Sequence, residues 1–190
     1  MGKISSGKDL LMLLLYVKGH KGETAEPISG KTRLMKMIFL FEKELKRRFN
    51  LGKAIDKSAF PDFEAHNFGP FSKDVYRDLD FLEELGFVRS TQNDLDELTE
   101  DEMEEAGYWE ELGFEEEGDP PSYPTLFTLT GVGRSFVEET LLAALTDEQV
   151  IALEEFKARC TSVGLKSLLR YVYTKYPEYA VESIIKDQVF

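Results

Sequence analysis

The segment AEPISGKT runs from Ala25 to Thr32. It satisfies the loose form of a phosphate-binding loop, with Ala25 where glycine is usual. Such a loop aims backbone N–H groups and a lysine at phosphates and follows a strand. Here Glu26 would bring negative charge into the cradle, and Pro27 has no N–H to offer. The residues before the loop read as helix, and no second apolar strand ending in Asp follows. The expectation is that the segment binds no nucleotide and that Lys31 simply opens a helix. The two histidines, His20 and His66, fall in separate loops with no HxxxH or CxxC spacing, so no metal site is expected. Cys160 ends a helix among apolar neighbours and reads as an inert buried thiol. Serine, histidine and aspartate occur without a nucleophile-elbow motif. The chain reads as non-catalytic, with no cofactor.

Residues suited to binding are easier to find. Lys73, Tyr76 and Arg77 lie in the first half of one helix, where cations and an aromatic ring can meet phosphate or a base edge. Lys36, Lys43 and Arg47 form a stripe along another helix, placed to meet phosphates. Phe39 and Leu40 flank that stripe and are expected to touch a partner. Trp109 and Phe114 sit in a strongly acidic stretch, a combination suited to a basic protein partner.

These residues need elements to hold them. Lys8 to Lys18 reads as a short buried helix, because its apolar run is too continuous for a half-exposed one. Residues 19–29 read as a loop. A helix from about Gly30 to Phe49 puts Leu34, Met37, Ile38, Phe41, Leu45 and Phe49 on one arc. With Phe39 and Leu40 beside the basic stripe it is apolar on more than one side, so it is expected to pack in the middle of the domain or to touch a partner. Residues 50–71 read as an irregular connector. Ser72 and Asp74 start the next helix, whose buried stripe is Val75, Leu79 and Leu82 and which ends at Gly86. Phe87–Ser90 and Thr125–Leu129 read as strands, and a helix follows from about Arg134 to Leu145. Thr146 and Gln149 form a capping box for a helix to about Cys160. A further helix, Gly164 to Tyr176, is stopped by Pro177. A last short helix is expected around Val181, Ile184 and Ile185.

Charge is unevenly distributed. Residues 1–60 carry 13 Lys/Arg against 6 Asp/Glu, whereas residues 61–120 carry 3 against 21. Such asymmetry points to a partner or to self-association. The helix holding Lys73 and Arg77 also holds five carboxylates, which oppose close approach to a polyanion. The longest apolar run, Leu10 to Val17, is eight residues, against the roughly 20 that a membrane helix needs. A cytoplasmic protein with no membrane association is expected.

The element order is helix, helix, helix, strand, loop, strand, helix. It predicts a mainly α (α+β) fold: a winged helix-turn-helix with a two-stranded wing, an acidic insertion and a helical C-terminal extension. The domain would span 1–145 with its insert at 91–119, and the extension, 146–190, would pack on it or mediate dimerisation. The ELGFV helix end, hairpin and LTGVGRSF resemble the recognition helix and wing of MarR- and PadR-type regulators. GKTRLMKMIFLFEKEL followed by FEAHNFGPFSKDVYRDLDFLEELGFV resembles the Panacea or SocA-like antitoxin domain and the related YwgA-type proteins. LKSLLRYVYTKYPEYA resembles the tail of the latter. The resemblance covers about residues 8–90 and 125–180, and the insert departs from it. It implies a prokaryotic winged helix linked to toxin neutralisation or proteolytic adaptor work. Two roles follow as expectations: a regulator bound to double-stranded DNA, or a module bound to a basic protein such as a toxin. A homodimer is compatible with either.

Overall fold

The computed structural model describes residues 4–48, 51–92 and 125–190. The expected acidic insert, with Trp109 and Phe114, lies outside the described residues. Helix α1, Gly7–Tyr16, is the central element. Ser6 caps it in a box with Asp9, and Leu10 to Leu15 are all buried. A helix apolar on every side must be covered on every side. Around α1 lie α3 (Lys73–Glu84), β5 (Thr125–Leu129) and the π-helical turn Val137–Leu141 that continues α4 (Gly131–Phe136).

Helix α2, Lys31–Leu40, runs on through a π-helical turn, Phe41–Leu45, into Lys46–Arg48. Arg33 to Phe41 are buried without a break. The burial extends beyond the one arc to the whole helix, as its apolar residues on more than one side lead one to expect, because α2 is covered on two sides, by α5 (Asp147–Thr161) and by α6 (Leu165–Lys175). Phe39 is buried against Phe63, Tyr176 and Tyr179 with ring centroids 5.2, 5.1 and 4.8 Å away, all edge-on. Leu40 is also buried. The expectation that Phe39 and Leu40 face a partner is therefore wrong: both are buried within this chain, Phe39 by Phe63, Tyr176 and Tyr179.

The sheet is small and antiparallel. Its order is β1 (Ile28–Ser29), β5, β4 (Val88–Gln92), with Ile28 opposite Phe127 and Val88 opposite Leu129. The expected loop 19–29 thus ends in a short strand. A second antiparallel pair, β2 (Glu64–His66) and β3 (Gly69–Phe71), stands inside the expected connector. Its turn is tied in by three contacts. Lys36 Nζ donates to the Pro70 carbonyl at 2.9 Å. Gly69 adopts φ +83° against the Tyr173 ring, where a Cβ would lie 2.5 Å from a ring carbon. Ile184 N donates to the Asn67 carbonyl. Helix α4 starts at Gly131, three residues earlier than expected, because Thr130 caps it through Gly133 N and Gly133 packs on the Phe87 carbonyl. The capping box of Thr146 and Gln149 forms on α5 as expected. The last helix, α7, is Lys186–Val189, with Ile185 and Val189 buried and Val181 and Ile184 exposed. The class is mainly helical with a small antiparallel sheet.

Candidate interaction surface

Helix α3 is the element on which binding was expected. Ser72 occupies its N-cap with extended backbone, although its buried hydroxyl makes no cap bond. Val75, Asp78, Leu79 and Leu82 face inward. Gly86, at φ +73°, closes the end. Asp78 is the unusual inward member. Its carboxylate pairs with Lys8 at 2.9 Å and lies against Gly7, where a Cβ would collide with it. The N-terminus of α1, which attracts anions, already has one from this chain. A polar groove of about 570 Å³ runs beside it. Its cations Lys8, Lys57 and Arg77 are matched by Asp62, Asp74 and Asp78.

The outward side of α3 follows from helix geometry. At about 100° per residue, Lys73, Arg77, Asp80 and Glu84 fall within roughly 60° of one another, opposite the buried stripe. All four are exposed. Arg77 also holds Asp74 at 2.7 Å, one turn back. Phe81 and Leu85, 42% and 53% exposed, form one flank of this ridge. Tyr76 lies on the other, with the Lys31 ammonium 5.4 Å from its ring centre and Phe71 edge-on. The structure thus brings Lys73, Tyr76 and Arg77 together on α3 and adds Lys31.

The basic stripe on α2 does not form a surface. Lys36 was expected to meet phosphate, but it is 2% exposed and bonded to the Pro70 carbonyl. That expectation is corrected: the lysine is a brace for the β2–β3 turn. Arg33 is buried and donates to the Cys160 and Val163 carbonyls, both at 2.7 Å, where α5 ends. Lys43 lies 5.5 and 5.3 Å from the Phe39 and Tyr179 ring centres, and Lys46 lies 4.3 Å from that of Phe60. Arg47 is exposed. In the π-helical turn, Glu44 Oε1 accepts from Tyr171 and Tyr176 at 2.9 and 3.1 Å and pairs with Lys175 at 3.0 Å.

Lys157 escaped the sequence reading. It is fully buried on α5, and its Nζ donates to the carbonyls of Leu15, Val17 and Glu26 at 3.1, 2.8 and 2.7 Å. Burial pushes its ammonium down to about 7, while the Glu26 carboxylate opposes the shift. The signal was present: Leu153, Phe156, Lys157 and Cys160 occupy one apolar stripe at helical spacing. Glu26 is buried too. Its Oε2 accepts from Lys21 N at 2.9 Å. His20 Nδ1 lies 3.0 Å from Glu26 Oε1 and 3.2 Å from Thr161 Oγ1.

The remaining chemical candidates have structural places. The Ala25–Thr32 segment forms no phosphate cradle, since Ala25 N donates to Tyr16 and Gly30 N to Thr125. His66 stacks on Phe71 at 4.7 Å. Burial pushes the Cys160 thiol up to about 12, away from a reactive thiolate. Among the described residues no group of three His, Cys, Asp or Glu side chains is placed to hold a metal, and no helix is long and apolar enough to cross a membrane. Compared with models of known families, with curated proteins and with solved structures, the chain has no match.

Proposed function

We propose that this chain is a non-catalytic regulatory module of the winged-helix type, cytoplasmic in setting, that binds protein through the outward face of α3. The winged-helix reading is supported by the order α1, β1, α2, α3, β4, β5 that remains when the β2–β3 pair inserted between α2 and α3 is set aside, with β5 between β1 and β4. The observation that carries protein binding is the ridge of α3, where two cations are followed by two carboxylates. A helix that enters the major groove sits between phosphates, so carboxylates along its outward line repel the duplex. The Lys36 and Arg33 charges, which a DNA reader would need on the surface, are inside. The resemblance to SocA-like antitoxin domains accords with this role.

The test is fluorescence-detected binding to random and native-promoter duplex DNA from about 20 to about 200 mM salt. The expected result is no saturable binding at micromolar protein even at low salt. Tight binding that falls steeply with salt would overturn the proposal. One observation favours a second reading, as a DNA regulator: Lys73, Tyr76, Arg77 and Lys31 gather at the N-terminal end of α3. On that reading, reversing the charges of Lys73 and Arg77 abolishes duplex binding.

A further inference from the structure

The ridge on α3 has an internal symmetry. Lys73 and Glu84 are centred midway between Asp78 and Leu79, and so are Arg77 and Asp80. All four are exposed and share one line of the helix. We propose that the partner seated on α3 is α3 of a second copy of this chain, packed antiparallel about a two-fold axis at that centre. This inference rests on the reading of α3 as a protein-binding face and names the occupant.

The charge pattern selects both the partner and its direction. With about 1.5 Å of rise per residue, antiparallel packing brings Lys73 level with Glu84 of the second copy and Arg77 level with its Asp80. The two-fold repeats both pairs, giving four. Parallel packing would set cation against cation and carboxylate against carboxylate. A wholly basic partner helix would meet Asp80 and Glu84 but collide in charge with Lys73 and Arg77. Self-pairing is the arrangement that satisfies all four residues, as an isologous interface requires.

The flank supports the same geometry. The two-fold keeps Phe81 of both copies on one side of the contact, about 8 Å apart along the helix axis, within reach of two aromatic side chains. Phe81, the exposed apolar residue beside the ridge, gains cover, whereas Leu85, just past the helix end, lies about 40° further round toward the buried side. Arg77 can keep Asp74 and reach the second copy, because a guanidinium has five N–H donors. One helix pair covers less than the ~1,200 Å² of a standard interface, so the dimer should be micromolar or weaker and sensitive to salt.

Sedimentation velocity of the full chain over a concentration series to about 1 mM, at low salt and at about 0.3 M salt, tests this directly. The expected result is a monomer–dimer equilibrium at least tenfold weaker at high salt. The double variants Lys73→Glu/Arg77→Glu and Asp80→Lys/Glu84→Lys give ridges of one sign. Each should be monomeric alone with an unchanged circular dichroism spectrum, and an equimolar mixture of the two should dimerise. A wild type that stays monomeric at low salt overturns the proposal, as does a dimer that survives in both variants or a mixture that stays monomeric. Duplex DNA titrations of the same proteins separate the two failures. A monomer that binds no DNA removes self-pairing alone. DNA binding by the wild type that disappears in Lys73→Glu/Arg77→Glu removes the protein-binding reading as well.

Discussion

Replacing Lys157 by Met should destabilise the fold by about 3 kcal/mol. The methionine fills most of the volume, so little of the loss is cavity. What is lost is the donor to three carbonyls. Two of them, Leu15 and Val17, lie at the C-terminal end of α1, whose last turn has no basic residue of its own. The third, Glu26, precedes β1. Each buried carbonyl without a partner costs roughly 1–3 kcal/mol. Relief of the ammonium's desolvation returns part of that sum, which leaves a net of about 3 kcal/mol. For a domain of this size each kcal/mol lowers Tm by about 2–4 °C, so thermal unfolding should shift down by roughly 6–12 °C. Hydrogen exchange should speed up first in residues 17–27, the segment that Lys157 pins to α5. A Tm within about 2 °C of wild type, with exchange in that segment unchanged, would refute the reasoning.

The same lysine sets a pH dependence. It titrates at about 7 in the fold, below the 10.5 of the free side chain. Between those values the unfolded chain binds more protons, so stability rises with pH from 7 to 10.5 and the increment fades as pH falls through 7. Urea unfolding across this window should show the rise in wild type and lose it in Lys157→Met; parallel curves would show that Lys157 does not titrate there. Gly69→Ala combines a φ of +83° with a Cβ pressed on Tyr173, and should cost about 2–4 kcal/mol, read as a lower urea midpoint at constant slope; an unchanged midpoint would refute the tight contact. Burial and the Glu44 carboxylate hold the Tyr176 hydroxyl up to about 12. Glu44→Gln should lower it in an ultraviolet titration while costing under about 1 kcal/mol, since the cluster is half-exposed. A tyrosine titration identical to wild type would place the shift in burial alone.

The elements that were legible in the sequence are those marked by local signals. The unbroken apolar run of α1, the capping box of Thr146 and Gln149, Gly86 and Pro177 all act within a few residues, and all hold in the structure. The strand β1 was not legible, because two residues pair with partners about a hundred positions away. The β2–β3 pair was missed for a similar reason: its turn depends on Lys36 and Tyr173, neither of them local. The largest error was electrostatic. Counting cations over residues 31–57 assigns all of them to the surface, yet Arg33 and Lys36 are inside and Lys43 and Lys46 rest on aromatic rings. The pattern did carry a warning. Lys36 stands between Met35 and Met37 in a helix apolar on more than one side, and Lys157 stands in an apolar stripe. A lysine at an apolar-periodic position is a candidate for carbonyl bonding inside the fold, and it should be removed from a surface count before that count is used to argue for a polyanion. Removing Arg33 and Lys36 takes two cations out of the α2 stripe, while the exposed ridge of α3 carries Lys73 and Arg77 against Asp80 and Glu84, so the net charge of the N-terminal third is no guide to the charge of that face.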